Sequence, residues 1–329
     1  MKRKIIVYER LEQPVLESLQ KDFNVHFFKN IDPKKDPAFL KVLQEAEGII
    51  GVGFPADGEL LDLAPHVRII SNVSVGYNNL DLKEMTKRNI MATNTPGVLD
   101  DTVADLVIGL MLSAARRLPE LDKYVKDGMW KESLPSEYYG VDVHHKTLGI
   151  IGMGRIGSAI AHRAYHGFHM NILYNSRRRK PEAEEKFKAT YKDLDSLLKA
   201  SDFVCLITPL TKETEGLMGK EQFQLMKRSA IFINASRGKT VVESDLIEAL
   251  KNKEILAAGL DVFEQEPIDP NNELLNMPNV VTLPHIGSST HETELKMSRL
   301  AEKNLRAGLN GEKPENLLNK EVFNDQSVK

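Results

Sequence analysis

Residues 148–157 read Leu148-Gly149-Ile150-Ile151-Gly152-Met153-Gly154-Arg155-Ile156-Gly157, an apolar run that leads directly into the pattern G-x-G-x-x-G. A helix-compatible run follows at 158–164, so the pattern lies between a strand and a helix, the context in which it has meaning. There Gly152 permits a tight bend, Gly154 lets a pyrophosphate approach the backbone, and Gly157 lets the helix pack close to the strand. The free N–H groups of the helix N-terminus attract phosphate. The stretch predicts a dinucleotide-binding unit; the alternative is a glycine-rich turn without a ligand.

Size and composition indicate an ordinary globular protein. The chain has 329 residues, enough for two domains, with 41% hydrophobic and 28% charged residues. A net charge of −3 gives no general attraction to nucleic acid or to membranes. The single cysteine, Cys205, lies in an apolar run, so we expect a small buried hydrophobe, no intrachain disulfide and a reducing environment. The N-terminal apolar run is too short for a signal peptide, and no run reaches the about 18 apolar residues of a membrane span. We therefore expect a cytoplasmic protein.

The chain contains two series of alternating strands and helices. In the first hundred residues the apolar runs predict strands at 4–8, 24–28, 48–52, 68–73 and 90–94, and the amphipathic runs predict helices at 14–21, 37–46, 59–64 and 82–88. The second series predicts six strands, at 148–151, 171–174, 203–207, 230–233, 257–260 and 280–283, with helices at 155–165, 194–200, 220–225 and 243–251. Such alternation is typical of parallel sheets covered by helices on both faces.

Two further helices frame the second series. Apolar residues at helical spacing behind Thr102-x-x-Asp105 predict a capped helix that ends near Arg116, long and apolar enough to pack against another subunit or domain. Residues 290–308 predict a last helix that returns to the first series. We therefore predict an α/β fold of two doubly wound parallel-sheet domains with a cleft between them. A Rossmann cofactor domain spans 102–287, and a flavodoxin-like substrate domain combines 1–101 with 288–329.

The loop after the second strand of the cofactor domain indicates which dinucleotide is bound. An acidic residue there favours NAD, because it accepts a hydrogen bond from the ribose 2′-hydroxyl. Here Tyr174 is followed by Asn175-Ser176-Arg177-Arg178-Arg179, with no carboxylate before Glu182. Guanidinium groups bind phosphate through paired, charge-assisted hydrogen bonds, so the loop predicts NADP(H), with NAD(H) still possible. We expect Arg177 and Arg178 at the 2′-phosphate with Ser176 as an extra donor; the alternative is a solvated basic loop.

Three candidate catalytic residues each follow a different strand of the second series. They are Arg237, Glu266 and His285, and all lie beyond the carboxyl ends of strands, where open α/β sheets bind ligands. Hydride transfer to a ketone leaves negative charge on the carbonyl oxygen, which a protonated histidine neutralises by donating a proton. A neighbouring glutamate favours the protonated ring, and an arginine orients the carboxylate or carbonyl of the substrate. This is the set that a 2-hydroxy acid dehydrogenase requires.

Motifs along nearly the whole chain carry a resemblance to a known family. The sequence resembles the D-2-hydroxyacid dehydrogenases, especially the bacterial glyoxylate/hydroxypyruvate/2-ketogluconate reductases. The matching segments are Val73-Ser74-Val75-Gly76-Tyr77-Asn78-Asn79-Leu80-Asp81, Thr102-Val103-Ala104-Asp105, the glycine turn, Asn234-Ala235-Ser236-Arg237-Gly238, Gly259-Leu260-Asp261-Val262-Phe263-Glu264-Gln265-Glu266-Pro267 and Pro284-His285-Ile286-Gly287. One departure is Ser236, where the family often has alanine or glycine.

The resemblance implies specific roles and partners. Arg237, Glu266 and His285 would form the catalytic set, with Arg237 and His285 also touching the substrate. The N–H groups of Val75 and Gly76 would bind the substrate carboxylate. The implied cofactor contacts, besides the glycines and the arginine loop, are Arg155, Ile156, Pro209, Asn234 and Asp261. The expected reaction is NADPH-dependent reduction of a small 2-keto acid (glyoxylate, hydroxypyruvate or 2-ketogluconate) to the D-2-hydroxy acid, in a homodimer built on the cofactor domain.

Two alternatives and one exclusion complete the prediction. A 3-phosphoglycerate dehydrogenase shares the chemistry but normally uses NAD, which the arginine loop disfavours. A non-enzymatic, dinucleotide-sensing corepressor shares the fold, and turnover of any keto acid would separate it from an enzyme. The spacing of His162, His166 and His169 could suggest a metal site, but His162 and His166 fall on the helix behind the glycine turn, with no carboxylate nearby in sequence and no third convergent ligand. We therefore expect no metal site, and no nucleic-acid or membrane partner.

Overall fold

The computed structural model describes residues 2–324. The chain forms two compact units, one from the chain up to Leu99 together with the chain from Ser289 onwards, and the other from Asp100–Ser288. Each unit is built on one parallel β-sheet flanked by helices, which confirms the predicted α/β class. Among the helices of residues 2–324, none combines the length and the apolar character needed to cross a membrane.

Residues 2–324 form twelve strands and thirteen α-helices, divided between the two units. The strands are β1 (Lys4–Tyr8), β2 (Asn24–Phe28), β3 (Gly48–Gly51), β4 (Ile69–Asn72), β5 (Met91–Thr93), β6 (Thr147–Ile151), β7 (Asn171–Asn175), β8 (Thr190–Tyr191), β9 (Phe203–Leu206), β10 (Ile231–Asn234), β11 (Ala257–Leu260) and β12 (Val280–Thr282). The helices are α1 (Gln13–Asp22), α2 (Pro37–Leu43), α3 (Gly58–Asp62), α4 (Leu82–Lys87), α5 (Asp100–Arg116), α6 (Leu118–Lys126), α7 (Arg155–Phe168), α8 (Pro181–Phe187), α9 (Leu194–Ala200), α10 (Lys220–Leu225), α11 (Glu243–Lys251), α12 (His291–Leu309) and α13 (Glu321–Asn324).

The first unit has a five-stranded parallel sheet with the order β2-β1-β3-β4-β5, the flavodoxin-like arrangement. All five strands form where the apolar runs predicted them. Ile6, Ile49 and Ile70 stand side by side in the strand register and are buried in the core. Helix α12 packs on β3 and β4, and the Ser71 hydroxyl donates a hydrogen bond to the Ala301 carbonyl at 2.8 Å. The chain segment after the last Rossmann strand therefore covers the sheet formed by the first segment.

The second unit has a seven-stranded parallel sheet with the order β12-β11-β10-β9-β6-β7-β8. Six of the strands match the prediction, and the central part of the order is that of a Rossmann fold. The prediction of six strands is nevertheless wrong by one, because β8 pairs with β7 at the edge of the sheet. This strand has only two residues, both exposed, so it carries no apolar alternation that could have indicated it.

Helix α5 differs from its prediction in two respects. It begins at Asp100, so Thr102 lies inside the helix and is not its cap. Asp100 and Asp101 occupy the first turn, where carboxylates are favourable beside the positive end of the helix dipole. Its buried face packs within its own unit on β10, β11 and α7, so its apolar character requires no second subunit. The sequence also did not predict α6, which follows a left-handed residue, Arg117, with φ of 54°.

Candidate active site

The glycine turn joins β6 to α7 with the predicted geometry. Gly152 has φ of 106°, a conformation that favours glycine, and a Cβ there would lie 2.4 Å from the Ile207 carbonyl oxygen. Its N–H donates to the Asn175 carbonyl at 2.8 Å, which ties the turn to the end of β7. A Cβ at Gly157 would lie 2.4 Å from the Gly152 oxygen, so α7 packs directly on the turn.

The start of α7 has the properties of a phosphate site. Gly154 and Arg155 are exposed, and within residues 2–324 no atom beyond Gly154 and its two chain neighbours lies within 4 Å of the place where a Cβ of Gly154 would stand. No side chain of the described residues caps the helix, so its first N–H groups are free to bind an anion. Beside the turn, the buried Oγ1 of Thr208 has no hydrogen-bond partner among residues 2–324. These features fit a dinucleotide, with Ile156 half-buried behind them and the Arg155 guanidinium held by Asp100 at 3.0 Å.

The arginine loop after β7 is held by a buried tyrosine. The Tyr174 hydroxyl donates to Glu184 at 2.5 Å and accepts from the Lys180 N–H at 2.7 Å. Arg179 makes two hydrogen bonds to the Glu184 carboxylate, at 3.0 and 2.8 Å, which hold the pKa of that carboxyl below its usual range. Arg179 is therefore already neutralised by a protein carboxylate.

The two arginines predicted to bind phosphate differ from Arg179. Arg177 and Arg178 are exposed, and within residues 2–324 neither has a carboxylate within 4.0 Å. The Ser176 hydroxyl donates to the Arg178 carbonyl at 2.7 Å and so stiffens the loop. Of the three guanidinium groups in the loop, two therefore have no carboxylate within 4.0 Å among residues 2–324.

The candidate catalytic residues come together in the second unit. His285 follows β12, and its Nδ1 lies 2.7 Å from the Glu266 carboxylate, which follows β11. The other Glu266 oxygen accepts from the Phe263 N–H at 3.0 Å. Arg237, after β10, donates to the Ser236 carbonyl at 2.6 Å and lies close enough to Glu266 for their charges to interact. Parallel strands β10, β11 and β12 are neighbours in the sheet, which brings their carboxyl ends to one edge.

The surroundings of these groups set their charge states. Burial opposes ionisation of Glu266, but the hydrogen bonds from His285 and Phe263 and the charges of His285 and Arg237 outweigh it, so the pKa of Glu266 is lowered. Burial lowers the pKa of the Arg237 guanidinium, and the Glu266 charge opposes that change. The carboxylate is thus ionised at neutral pH, with a histidine and an arginine as its partners.

Two residues predicted to contact the cofactor, Asn234 and Asp261, hold the catalytic loops through hydrogen bonds, and their contact with a cofactor stays a prediction. Asn234 accepts from the Ser236 N–H at 3.0 Å, which shapes the turn before Arg237. Asp261 is almost fully buried and accepts from the backbone N–H groups of Ile286 and Gly287 at 2.8 and 2.9 Å.

The surroundings of Asp261 also shift its pKa. Burial raises the pKa of Asp261, against the opposing hydrogen bonds from Ile286 and Gly287.

Pro209 lies in the exposed loop after β9, where its carbonyl accepts from Thr214 at 2.6 Å. Its contact with a cofactor stays a prediction.

The predicted carboxylate-binding residues, Val75 and Gly76, lie in the other unit, in the loop after β4. Within residues 2–324, neither of their N–H groups donates to a protein acceptor. Two successive free N–H groups are a suitable site for an anion. The asparagines that support this loop, Asn72 and Asn94, were not predicted from the sequence; a polar residue at or directly after the end of an apolar strand is the local signal that could have indicated them.

The three histidines considered as metal ligands, His162, His166 and His169, lie on or beside α7. The His162 and His166 rings are tilted by 55° at a centroid distance of 4.7 Å, and both contact the Phe187 ring edge-on. Among residues 2–324, no three histidine, cysteine or acidic side chains are arranged to hold a metal. Cys205 is buried in β9, and burial raises the pKa of its thiol, which makes it a poor nucleophile.

Comparison with known proteins identifies the family. Residues 108–287 match the family model for the NAD binding domain of D-isomer specific 2-hydroxyacid dehydrogenases. Glyoxylate/hydroxypyruvate reductase B of Escherichia coli is 52% identical over 322 residues, which cover 98% of this chain and 99% of that protein. This chain belongs to the D-isomer specific 2-hydroxyacid dehydrogenase family.

Solved structures agree with membership of the 2-hydroxyacid dehydrogenase family. A protein of Thermus thermophilus has a TM-score of 0.88 at 38% identity, covering 96% of this chain and 99% of its own. The NADPH-dependent glyoxylate/hydroxypyruvate reductase of Sinorhizobium meliloti, solved with NADP and malonate, has a TM-score of 0.88 at 32% identity over 98% of each chain. The predicted resemblance is confirmed, and the Rossmann and substrate domains of the family correspond to the two parallel sheets.

Proposed function

We propose that this 2-hydroxyacid dehydrogenase reduces small 2-keto acids to D-2-hydroxy acids with NADPH, with glyoxylate and hydroxypyruvate as substrates and 2-ketogluconate as a further one. The observation that carries the proposal is the His285–Glu266 pair, 2.7 Å apart at the edge of the Rossmann sheet. The relatives support the substrates, since the similar proteins of Escherichia coli and Sinorhizobium meliloti are glyoxylate/hydroxypyruvate reductases.

The side chains of this site divide the reaction between them. When bound, NADPH supplies the hydride that adds to the keto carbon. Because Glu266 engages Nδ1 of His285, Nε2 is the ring nitrogen that donates a proton to the keto oxygen. The ionised Glu266 fixes the orientation of the ring. Arg237 orients the substrate by a charge-assisted hydrogen bond to its carbonyl or carboxylate oxygen.

The remaining recognition falls to backbone groups and to the arginine loop. The free N–H groups of Val75 and Gly76 would bind the carboxylate that all these keto acids share. Gly152, Gly154 and Gly157 would accommodate the pyrophosphate, as in other G-x-G-x-x-G turns.

Steady-state kinetics tests the function directly. Oxidation of NADPH and of NADH is measured against glyoxylate, hydroxypyruvate and 2-ketogluconate. We expect turnover with at least the first two acids and a preference for NADPH in kcat/KM. NADPH binding without turnover of any keto acid would overturn the proposal and favour a dinucleotide sensor, whereas preference for NADH would overturn the cofactor assignment alone.

The cofactor preference has its own test on the arginine loop. The double variant Arg177→Gln/Arg178→Gln should bind NADP⁺ about tenfold or more weakly in calorimetry, because a hydrogen bond to a charged group contributes about 1.5–3 kcal/mol. Binding of NAD⁺ should not change. Arg228→Gln, which removes an exposed arginine elsewhere in the same unit, is the control. Equal losses for both dinucleotides would show that these arginines do not read the 2′-phosphate.

We also propose that the protein is a homodimer in which α6 and the segment after it contact a second copy. Helix α6 has no buried residue, although an amphipathic helix is stable in water only when its apolar face is covered. Five large apolar side chains are exposed between positions 118 and 139, namely Leu118 (50%), Val125 (51%), Met129 (56%), Trp130 (65%) and Tyr139 (67%). A concentration of exposed apolar side chains in one segment is typical of an interaction surface.

A further inference from the structure

The loop at 74–76 has all three of its carbonyl oxygens engaged by the protein, while the N–H groups of Val75 and Gly76 have no acceptor among residues 2–324. A loop without regular structure exposes both backbone donors and backbone acceptors. Here donors from β4 and from the segment after β5 bind the carbonyl oxygens of the loop. The N–H groups of Val75 and Gly76 remain available to a ligand.

Asn72 supplies the contact to Gly76. It ends β4, is 2% exposed, and its Nδ2 donates to the Gly76 carbonyl at 2.9 Å and to the Ser74 hydroxyl oxygen at 2.7 Å. The Ser74 hydroxyl donates a hydrogen bond to the same Gly76 carbonyl at 2.5 Å. Asn79 holds the Asn72 amide in place through bonds of 3.2 and 3.3 Å, and its Nδ2 is tied to the Phe54 carbonyl at 2.8 Å. The Asn72 amide is thus fixed in a defined orientation by four hydrogen bonds to three residues.

The segment after β5 supplies the other two contacts. Asn94, buried at 7% exposure, donates from Nδ2 to the Val75 carbonyl at 2.8 Å. The Thr95 N–H donates to the Ser74 carbonyl at 2.9 Å. Asn94 is itself held, because the buried Asn304 of α12 donates to its carbonyl at 3.3 Å. Helix α12 therefore supports the loop indirectly, through Asn94.

We infer that Asn72 and Asn94 are positioning residues for substrate, which bind the carbonyls of Gly76 and Val75 and thereby direct the N–H groups of that loop toward the carboxylate of a 2-keto acid. The inference rests on the proposed function. The carboxylate of the substrate does not change during reduction, so a correctly aimed loop lowers the free energies of the bound substrate and of the transition state equally. Loss of such uniform binding raises KM and leaves kcat unchanged.

The test uses leucine substitutions, which keep the approximate size of asparagine, add no charge and remove the donors. Asn72→Leu and Asn94→Leu should each raise the KM for glyoxylate about tenfold or more, the loss expected for misplaced hydrogen bonds to a charged group, with kcat and the KM for NADPH nearly unchanged. The inhibition constant of oxalate, a dicarboxylate that cannot accept hydride, should rise in parallel. Ser74→Ala, which removes one of the two donors to Gly76 without enlarging the side chain, should cause a smaller change in the same direction.

Asn319→Ala is the matched control. Asn319 is a buried asparagine of the same unit (3% exposed) that accepts from the Ala92 N–H and donates to the Ile90 carbonyl, away from the loop. Its loss should lower the melting temperature without changing the KM for glyoxylate. A KM within about twofold of the parent for Asn94→Leu and Ser74→Ala, in an enzyme that reduces glyoxylate, would overturn the inference and leave the proposed function intact. A parent enzyme without keto acid turnover would overturn the proposed function itself.

Discussion

His285 is held both at its ring and at its backbone. Glu266 binds the ring. The backbone of His285 has a φ of 52°, a value that is uncommon for residues other than glycine. The N–H groups of the next two residues, Ile286 and Gly287, donate to Asp261. His285→Gln should lower kcat by about 10²–10⁴-fold, the contribution of a general acid. Glu266→Gln should cause a smaller loss, since the ring remains but is less well oriented. Rapid kinetics with NADPH and glyoxylate measures both, and an unchanged kcat for His285→Gln would contradict the mechanism.

Glu266 also makes a pH-dependent contribution to stability. Its pKa is lowered in the folded protein, so its contribution is fully present above the ordinary carboxyl pKa of about 4.3 and is lost as the pH falls through the lowered value. Urea unfolding of the parent and of Glu266→Gln should therefore differ more at pH 7 than in acid. A difference that stays constant across this range would show that the carboxylate is not stabilised by its partners.

At the scale of an element, the turn between β6 and α7 separates folding from binding. Gly157→Ala places a methyl group 2.4 Å from the Gly152 oxygen and should lower the free energy of unfolding by about 1–3 kcal/mol. The methyl group of Gly154→Ala meets no atom of residues 2–324 within 4 Å beyond its chain neighbours, so the free energy of unfolding should change by less than about 1 kcal/mol. The affinity for NADP⁺ should fall, because the methyl group occupies the path of the pyrophosphate. Thermal melts and calorimetry distinguish the two, and unaltered binding by Gly154→Ala would exclude the turn as the phosphate site.

At the scale of the whole molecule, the exposed apolar segment predicts the oligomeric state. Sedimentation equilibrium should give twice the mass of one chain. The double variant Met129→Asp/Trp130→Asp should dissociate it, because a charged side chain is costly to bury in an interface. Leu275→Asp, at a site 41% exposed in the same unit, should leave the mass unchanged. A parent protein that sediments as a single chain would contradict the dimer.

The predictions from sequence were accurate where the signal is local. The Rossmann strands and helices follow apolar runs whose period and length differ for the two kinds of element. Arg237, Glu266 and His285 could be predicted to lie together because each is in the loop after a strand, and parallel strands end at the same edge of a sheet. The errors arose where the local signal is weak. Strand β8 is too short to show a periodic pattern of apolar residues, and α5 begins earlier than its apolar face indicated.

By itself, the sequence determined the two parallel sheets, the glycine turn and the residues at the strand ends, since strand and helix periodicity and glycine spacing act over a few neighbouring positions. Only the tertiary structure decided that Asp261 binds the backbone after His285, that Glu184 neutralises Arg179, and that Asn72 and Asn94 engage the loop at 74–76. The reason is that each of these hydrogen bonds depends on a side-chain orientation set by packing. For Asp261 and for Asn94, the order of strands in the sheet also brings the two hydrogen-bond partners together. No local pattern of residues specifies a side-chain orientation or a strand order.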